Sequence, residues 1–156
     1  TISSIISIDL DNFSPMPSID GKGSHGGYCG PAVKPIALNM VAEIARAEAR
    51  RGIPISGIGG IETSRHAAEF MALGAGNVQV CTAAMVYGFR SIDDLTSGLS
   101  HFLRDKGMSR VADLVGRAVP SVTDWKYLNL NYVVKARINQ DACIQCGRCH
   151  IVCEDA

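Results

Sequence analysis

The sequence lacks a surplus of either charge, and this absence argues against two classes of binding partner. Fifteen lysines and arginines are balanced by fifteen aspartates and glutamates, so the formal net charge at pH 7 is zero. A chain without net charge has no long-range field that would gather nucleic acid or anionic lipid. The composition therefore predicts neither a nucleic-acid partner nor a membrane-surface partner.

The sequence also lacks a long hydrophobic run at its start. The opening stretch TISSIISIDL is apolar but short, has no basic segment before it and soon reaches Asp9. Such a stretch is predicted to be neither a signal peptide nor a membrane span. Four of the six cysteines crowd into the tail, while Cys29 and Cys81 stand apart. Clustered thiols are typical of metal sites in a reducing compartment, which predicts a cytoplasmic protein.

Too few strands can be recognised for a closed parallel barrel. Residues 11–31 are rich in proline, glycine and serine and predict a long loop. Apolar periodicity then predicts, in order, a helix over 35–52, a strand over 53–58, a helix over 63–74, a strand over 77–85 and a helix over 91–107. Thr63 or Ser64 is expected to cap the second helix, and Ser91 the third. This alternation indicates the α/β class, with parallel strands joined by right-handed crossovers.

Two strands cannot close a (β/α)₈ barrel, which takes about 250 residues. We therefore expect either that another chain completes the sheet or that the sequence is the C-terminal part of a longer protein. A short helix is predicted over 109–115, and a linker-like segment containing Pro120 and Trp125 follows it. This change of composition predicts a domain boundary near residue 120, which divides the chain into 1–120 and 121–156.

The cysteine run has the spacing of an iron–sulfur site. Cys143, Cys146, Cys149 and Cys153 form a C-x₂-C-x₂-C-x₃-C pattern that contains Gly147. Two-residue spacers let neighbouring thiolates reach separate irons, and the glycine relieves crowding in a tight loop. The pattern favours a 4Fe–4S cluster over structural zinc, whose ligand pairs are separated by a longer segment, and over disulfides.

The fourth ligand has two alternatives. In two-cluster ferredoxins the last cysteine of each run binds the other cluster, so Cys153 could serve either this cluster or a second one. Cys153 is followed by Glu154, where a ferredoxin run usually carries proline.

Glycines follow the first strand at a position suited to an anion. The segment GIGGI (57–61) lies between a strand and a helix, where backbone N–H groups can hold a phosphate, although such glycines also make turns without ligands. The next strand ends near Cys81 and Thr82, and parallel barrels often bind phosphate between the loops after their last two strands. The pair of strand ends predicts a nucleotide-like cofactor. Cys29 and Cys81 themselves are interpreted as inert, buried packing rather than as nucleophiles.

Four stretches resemble one enzyme family, in the same order along the chain. They are HGGYCGPAVKPIALNMVAEIA, ISGIGGI, GAGNVQVCTAAM and NQDACIQCGRCHIVCED. Together they are similar to the C-terminal part of the dihydropyrimidine dehydrogenases, particularly the bacterial NAD-dependent catalytic subunits. The first three also resemble dihydroorotate dehydrogenases, which share an FMN-binding barrel. The resemblance implies the C-terminal portion of a TIM barrel, followed by the first half of a ferredoxin-type 4Fe–4S segment.

The resemblance also implies roles for individual residues. The pyrimidine would contact Thr1, and no catalytic residue is expected in this chain, because the cysteine acid of the family falls upstream. For the same reason the chain alone is not expected to turn over substrate. The residues that the resemblance assigns to FMN are Gly30, Ile58, Gly59, Gly60, Cys81 and Thr82.

A barrel that binds flavin and a segment that binds iron–sulfur make joint chemical sense, because flavin exchanges electrons in pairs or singly and a cluster carries one at a time. We expect an oligomeric enzyme that reduces uracil or thymine to the 5,6-dihydropyrimidine. Its electrons would come from NAD(P)H oxidised on a partner flavoprotein subunit or domain. The alternatives are a dihydroorotate dehydrogenase fused to a ferredoxin segment, a non-catalytic electron-transfer module and a zinc-binding interaction module.

Overall fold

The computed structural model describes residues 2–48, 52–131 and 137–152. The chain divides into two units, Thr1–Thr123 and Asp124–Ala156. Within these described ranges, no helix has both the length and the apolar character needed to cross a bilayer.

Short antiparallel strands organise the first thirty residues. Four strands form two separate pairs, β1 with β4 and β2 with β3; they are β1 (Ile2–Ile5), β2 (Ser7–Asp9), β3 (Ser14–Met16) and β4 (Gly26–Tyr28). The prediction of a continuous loop over 11–31 is therefore wrong, because three-residue strands are too short to show periodicity. The turn after β2 is closed by Asp9, whose carboxylate accepts from the backbone N–H of Asp11 at 2.9 Å and from Asn12 Nδ2 at 2.8 Å.

Helices and parallel strands alternate in the rest of the first unit. The elements are α1 (Lys34–Glu48), β5 (Ile55–Ile58), α2 (Ser64–Ala72), β6 (Ala75–Gln79), α3 (Thr82–Tyr87) and α4 (Arg90–Asp105). Strands β5 and β6 are parallel, with Ser56 opposite Asn77 and Ile58 opposite Gln79. The mixed α/β class and the parallel pair are thus confirmed.

Strand β6 ends six residues before the predicted position of Met85. The backbone turns at Cys81, whose φ of −127° and ψ of −74° precede the short helix α3. The apolar letters CTAAM were predicted to extend the strand, although an apolar run of this length fits a buried helix equally well. Because of this turn, Cys81 and Thr82 lie at the end of the sheet.

The start of helix α2 agrees with its sequence signal. Thr63 is the N-cap, and its Oγ1 accepts a hydrogen bond from the backbone N–H of His66 at 3.3 Å. Ala67, Phe70 and Met71 are buried on one face, as the helical spacing predicts.

The start of helix α4 differs from its prediction. Phe89 occupies the N-cap, and Ser91 lies inside the helix with its Oγ donating to the carbonyl of Gly88 at 2.7 Å. Ser91 is therefore not the cap, because its hydroxyl proton goes back to a carbonyl before the helix. Leu95 and Leu103 are buried, and the apolar stripe of the helix faces the core.

Helix α1 has a wider apolar arc than the core covers. Val41 and Ala45 are buried, while Ile36, Met40 and Ile44 have 47%, 56% and 46% of their surface exposed. All five residues follow helical spacing and so share one side of α1. The apolar side of α1 is therefore wider than the surface that packs against it. The first unit covers the stripe with Val41 and Ala45 and leaves the stripe with Ile36, Met40 and Ile44 exposed.

The predicted helix over 109–115 is shorter than expected. A 3₁₀ turn covers Val111–Asp113, and the Asp113 carboxylate accepts from Arg110 Nε at 3.0 Å and from Ser109 Oγ at 3.1 Å. The hydrogen bond from Arg110 is the main cause that holds the pKa of Asp113 below its ordinary value. Stabilisation from a depressed pKa is present above the unfolded value and is lost as the pH falls through the folded one.

The second unit contains a 3₁₀ turn at Trp125–Tyr127 and helix α5 at Arg148–Val152. The division between the two units falls between Thr123 and Asp124. The interpretation of the first unit as a barrel end and of the second as an iron–sulfur segment stays a prediction.

The core of the first unit depends on a glycine, Gly57, in strand β5. A Cβ at Gly57 would lie 2.7 Å from Phe70 Cδ1 and 3.1 Å from the Cβ of Ala75. Phe70 has 0% of its surface exposed, so it has no free space into which to move.

Replacing Gly57 by alanine should therefore destabilise the fold by about 1–3 kcal/mol through overpacking. Gly76→Ala in the neighbouring strand is a matched control, because its Cβ would meet nothing closer than the carbonyl of Ile55 at 3.8 Å. Urea unfolding of both variants measures the difference. Equal unfolding midpoints for Gly57→Ala and Gly76→Ala would contradict this account of the core.

Candidate functional site

One cavity of about 190 Å³ lies where three segments of the first unit converge. These segments are the stretch before α1, the turn after β5 and the turn after β6. The cavity brings together all six residues that the resemblance assigns to FMN, namely Gly30, Ile58, Gly59, Gly60, Cys81 and Thr82. Residues 52 positions apart in sequence therefore line one site.

The turn after β5 needs glycine at two consecutive positions. Gly59 has a φ of 131° and Gly60 a φ of 68°, which are conformations that other residues rarely adopt. A Cβ at Gly60 would lie 2.6 Å from the carbonyl oxygen of Gly30 and 3.1 Å from the backbone nitrogen of Lys34. The two chain segments thus pass each other backbone to backbone, which leaves the cavity open beside them.

Gly30 connects this turn to the one after β6. Its φ is 83°, and its carbonyl accepts a hydrogen bond from the N–H of Val33 at 3.2 Å, which begins the 3₁₀ turn Pro31–Val33. A Cβ at Gly30 would lie 3.8 Å from Thr82 Cγ2. Gly30 therefore approaches both strand ends at once.

Backbone N–H groups are the donors that the cavity offers to an anion. Among the turn, loop and side-chain hydrogen bonds of the described residues, none is donated by the N–H of Gly60 or Thr82. The nearby ammonium of Lys34 is engaged, because its Nζ lies 2.7 Å from Glu69 Oε2. Unpaired amides at strand ends are a common phosphate-binding arrangement.

The size of the cavity limits what part of a ligand it can enclose. Pockets that enclose a whole small-molecule ligand usually measure about 300–1,000 Å³. At about 190 Å³ this cavity fits one end of a nucleotide, such as its phosphate and the adjoining chain. The glycine turn, the backbone amides beside the cavity and the volume all fit the phosphate end of FMN.

The two isolated cysteines are not buried, contrary to the sequence interpretation. Cys29 and Cys81 are both exposed free thiols, and both line the cavity. Cys29 precedes Gly30 and Cys81 precedes Thr82, and both of these neighbours also line the cavity. Sequence spacing placed them far apart and gave no reason for this exposure.

Three further residues of the cavity were not recognised from the sequence. Glu62 follows the glycine turn, and its backbone N–H donates to His66 Nδ1 at 3.3 Å. Met85 lies on α3, although its segment was predicted as strand. Gln79 is the last residue of β6 and lies two positions before Cys81, so strand alternation was the one signal that pointed to it.

The cysteine run of the second unit carries three thiols within the described residues. Cys143 is half-buried, and Cys146 and Cys149 are exposed; all three are free thiols. Left-handed backbone occurs once in each spacer, at Gln145 with φ 54° and at Gly147 with φ 71°. Both spacers therefore bend sharply, and three thiols at this spacing supply three of the four donors that a 4Fe–4S cluster takes.

The structure does not gather these thiols into a complete site. Across 2–48, 52–131 and 137–152, no group of three or more histidine, cysteine or acidic side chains is placed to hold a metal ion. Cys153, the fourth residue of the pattern, lies outside the described residues, as does Thr1. The donor chemistry fits a cluster, while the placement of the donors does not.

Comparison with known proteins identifies similar sequences for both units. The family model "Dihydroorotate dehydrogenase" matches residues 1–103. The NAD-dependent dihydropyrimidine dehydrogenase subunit PreA of Escherichia coli K12 is 47% identical over 155 residues, which are 99% of this chain and 38% of that protein. The chain therefore spans well under half the length of this relative.

Two other relatives cover less of the chain. The chloroplastic dihydropyrimidine dehydrogenase (NADP(+)) of Arabidopsis thaliana is 37% identical over 126 residues, which are 79% of the chain and 30% of that protein. The catalytic subunit of dihydroorotate dehydrogenase B (NAD(+)) of Pyrococcus horikoshii is 36% identical over 118 residues, which are 76% of this chain and 37% of that protein. Gly30 and Cys149 are the ends of a stretch of 120 residues, so a match of 118 residues cannot contain both the first cavity glycine and the third cysteine of the run.

Proposed function

Because the chain belongs to the dihydroorotate dehydrogenase family, we propose that it is part of a flavin-dependent oxidoreductase that acts on a pyrimidine. The observation that carries this proposal is the convergence of Gly30, Gly59, Gly60 and Thr82 on one cavity at the ends of two parallel strands. Relatives named for dihydropyrimidine and for dihydroorotate both support a pyrimidine as the substrate class.

Within that class, the favoured reaction is reduction of uracil or thymine to the 5,6-dihydropyrimidine. The similarity to the Escherichia coli dihydropyrimidine dehydrogenase subunit covers 155 of the 156 residues and so includes the cysteine run. A reductase fed through an iron–sulfur segment needs such a run, whereas the family model ends at residue 103. The extent of the match therefore favours the dihydropyrimidine reaction.

FMN is the proposed cofactor, and the first unit would bind its phosphate. Gly59, Gly60 and Thr82 would donate backbone N–H groups to the phosphate, while Ile58 and Cys81 would line the adjoining surface. Bound FMN would supply hydride transfer to or from the pyrimidine. Amide donors suit this task because they bind an anion without a mobile side chain that must be ordered.

In this proposal the first unit is the C-terminal portion of a TIM barrel, and Thr1 would contact the pyrimidine ring. Strands β5 and β6 would be two adjacent strands of the barrel, which fits the common position of phosphate sites in such folds. No acid for the reaction is assigned to this chain.

The cysteine run is proposed to hold a 4Fe–4S cluster in the intact protein. Cys143, Cys146 and Cys149 would be ligands, and Cys153 would complete this cluster or bind a second one. An assembled cluster would carry single electrons. A reducing compartment such as the cytoplasm would keep these thiols available. NAD(P)H would be oxidised on a partner flavoprotein subunit or domain, within an oligomer.

A second candidate is a dihydroorotate dehydrogenase reaction, which the matching family model favours by its description. The two reactions differ in substrate, since dihydroorotate carries a carboxylate that uracil lacks.

The substrate class can be tested with the intact protein purified without oxygen. We expect FMN to be released on denaturation, and flavin reduced by dithionite to be reoxidised by uracil or thymine at least tenfold faster than by orotate, about 1.4 kcal/mol of discrimination. Stopped-flow absorbance of the flavin measures both rates. Faster oxidation by orotate would favour the second candidate, and a protein without flavin would remove both.

The phosphate site can be tested by filling the backbone crossing. Gly60→Ala should weaken FMN binding by at least about tenfold, or about 1.4 kcal/mol, because its Cβ would displace Gly30 or Lys34. Gly107→Ala is a matched control, because Gly107 has a φ of 67° against 68° for Gly60 but open space around it. Titration of flavin-free protein with FMN measures both affinities. Equal losses in the two variants would contradict the site.

The cluster can be tested by removing one donor. Cys146→Ser should lower the iron content and the broad cluster absorbance while flavin stays bound, because flavin and thiols belong to different units. Ile144→Ala is a control in the same run, because Ile144 is 84% exposed and carries no donor. Metal analysis after anaerobic purification measures the outcome. Zinc in place of iron in the unaltered protein would contradict the assignment.

A further inference from the structure

A chain of hydrogen bonds runs across the sheet and ends at the cavity. Ser56 on β5 and Asn77 on β6 are register partners, and Gln79 follows two residues later on the same face of β6. Gln79 Nε2 donates to Ser56 Oγ at 2.8 Å, and Ser56 Oγ donates to Asn77 Oδ1 at 2.5 Å. The opposite face of the sheet carries Gly57, which packs against the buried Phe70.

The hydroxyl of Ser56 sets the direction of both amides. A serine hydroxyl has one proton to donate and can also accept. Because that proton goes to Asn77 Oδ1, the Ser56 oxygen is an acceptor for Gln79, which must present Nε2 to it. The amide of Gln79 is thereby oriented, and its Oε1 is left as an acceptor on a residue that lines the cavity.

This network contributes little to the stability of the fold. All three side chains are exposed, so water competes for each of these hydrogen bonds. An exposed network on the face away from the core is better suited to holding a group in one orientation before a ligand binds, which lowers the entropy cost of binding.

The acceptor differs in chemistry from the rest of the cavity. Gly59, Gly60 and Thr82 offer N–H donors, which suit the phosphate, whereas Gln79 Oε1 suits a hydroxyl or another donor. In FMN, the part that is covalently next to the phosphate is the ribityl chain, which carries hydroxyl groups. Both kinds of group line one cavity of about 190 Å³, so they can contact adjoining parts of one molecule.

We propose that Gln79 binds a ribityl hydroxyl of the flavin through Oε1, and that Ser56 and Asn77 are positioning residues that hold its amide in this orientation. This inference rests on the proposed function, because it assumes that the cavity receives FMN. The inference gives the polar face of the sheet a role in binding the ribityl chain, which is separate from binding of the phosphate.

A double-mutant cycle on the intact protein tests the proposal. Gln79→Met removes the acceptor at similar size, and Ser56→Ala removes the group that orients it. Each variant should weaken FMN binding about three- to tenfold, the usual value of one hydrogen bond. The double variant should lose no more than Gln79→Met alone, because Ser56 acts through Gln79. Titration of flavin-free protein with FMN measures all four affinities.

Asn77→Asp is the matched control, because a carboxylate still accepts the Ser56 proton and preserves the direction of the chain. Its affinity for FMN should stay within about twofold of the unaltered protein, against the three- to tenfold loss of Ser56→Ala. Urea midpoints of the flavin-free variants are measured beside the affinities, so that a loss of FMN binding is separated from a loss of fold. Unaltered affinity in Gln79→Met, or additive losses in the double variant, would overturn the inference. Absence of FMN binding in every protein, including the unaltered one, would overturn the proposed function instead.

Discussion

The site depends on one contact, the passage of the Gly60 backbone against the carbonyl of Gly30. A single Cβ at Gly60 would come within 2.6 Å of that oxygen, and the positive φ of both glycines leaves other residues poorly suited to these positions. This crossing brings the segment before α1 to the ends of β5 and β6. Without it the segment that contains Gly30 would not lie beside the turns that follow the paired strands β5 and β6.

Strand β5 connects this crossing to the core. Its Gly57 lies against Phe70 on one face, its Ser56 contacts Asn77 on the other, and its end leads into Gly59. Strand alternation therefore places the core contact and the polar network on opposite faces of one short strand. The buried face fixes β5 against the core and so fixes the turn that follows it. The polar face points away from this core.

Local signals in the sequence predicted helix α2, its Thr63 cap, the parallel pair and the glycine turn, since each depends on neighbouring residues. The errors lie where distant residues decide the structure. The strands within 11–31 form by pairing with other segments, and β6 stops at Gln79 because the chain turns at Cys81. The exposure of Cys29 and the position of Gln79 beside the cavity follow from convergence of separate segments, which periodicity cannot show. The resemblance supplied the six proposed FMN residues, and the structure explains physically why they share a cavity.

The most direct test of this account is a high-resolution structure of the intact protein with FMN bound. The account predicts phosphate oxygens within about 3.2 Å of the backbone nitrogens of Gly59, Gly60 and Thr82, which is the range of N–H···O hydrogen bonds. Bound flavin with its phosphate held at another place, and these three amides left without it, would contradict the central claim.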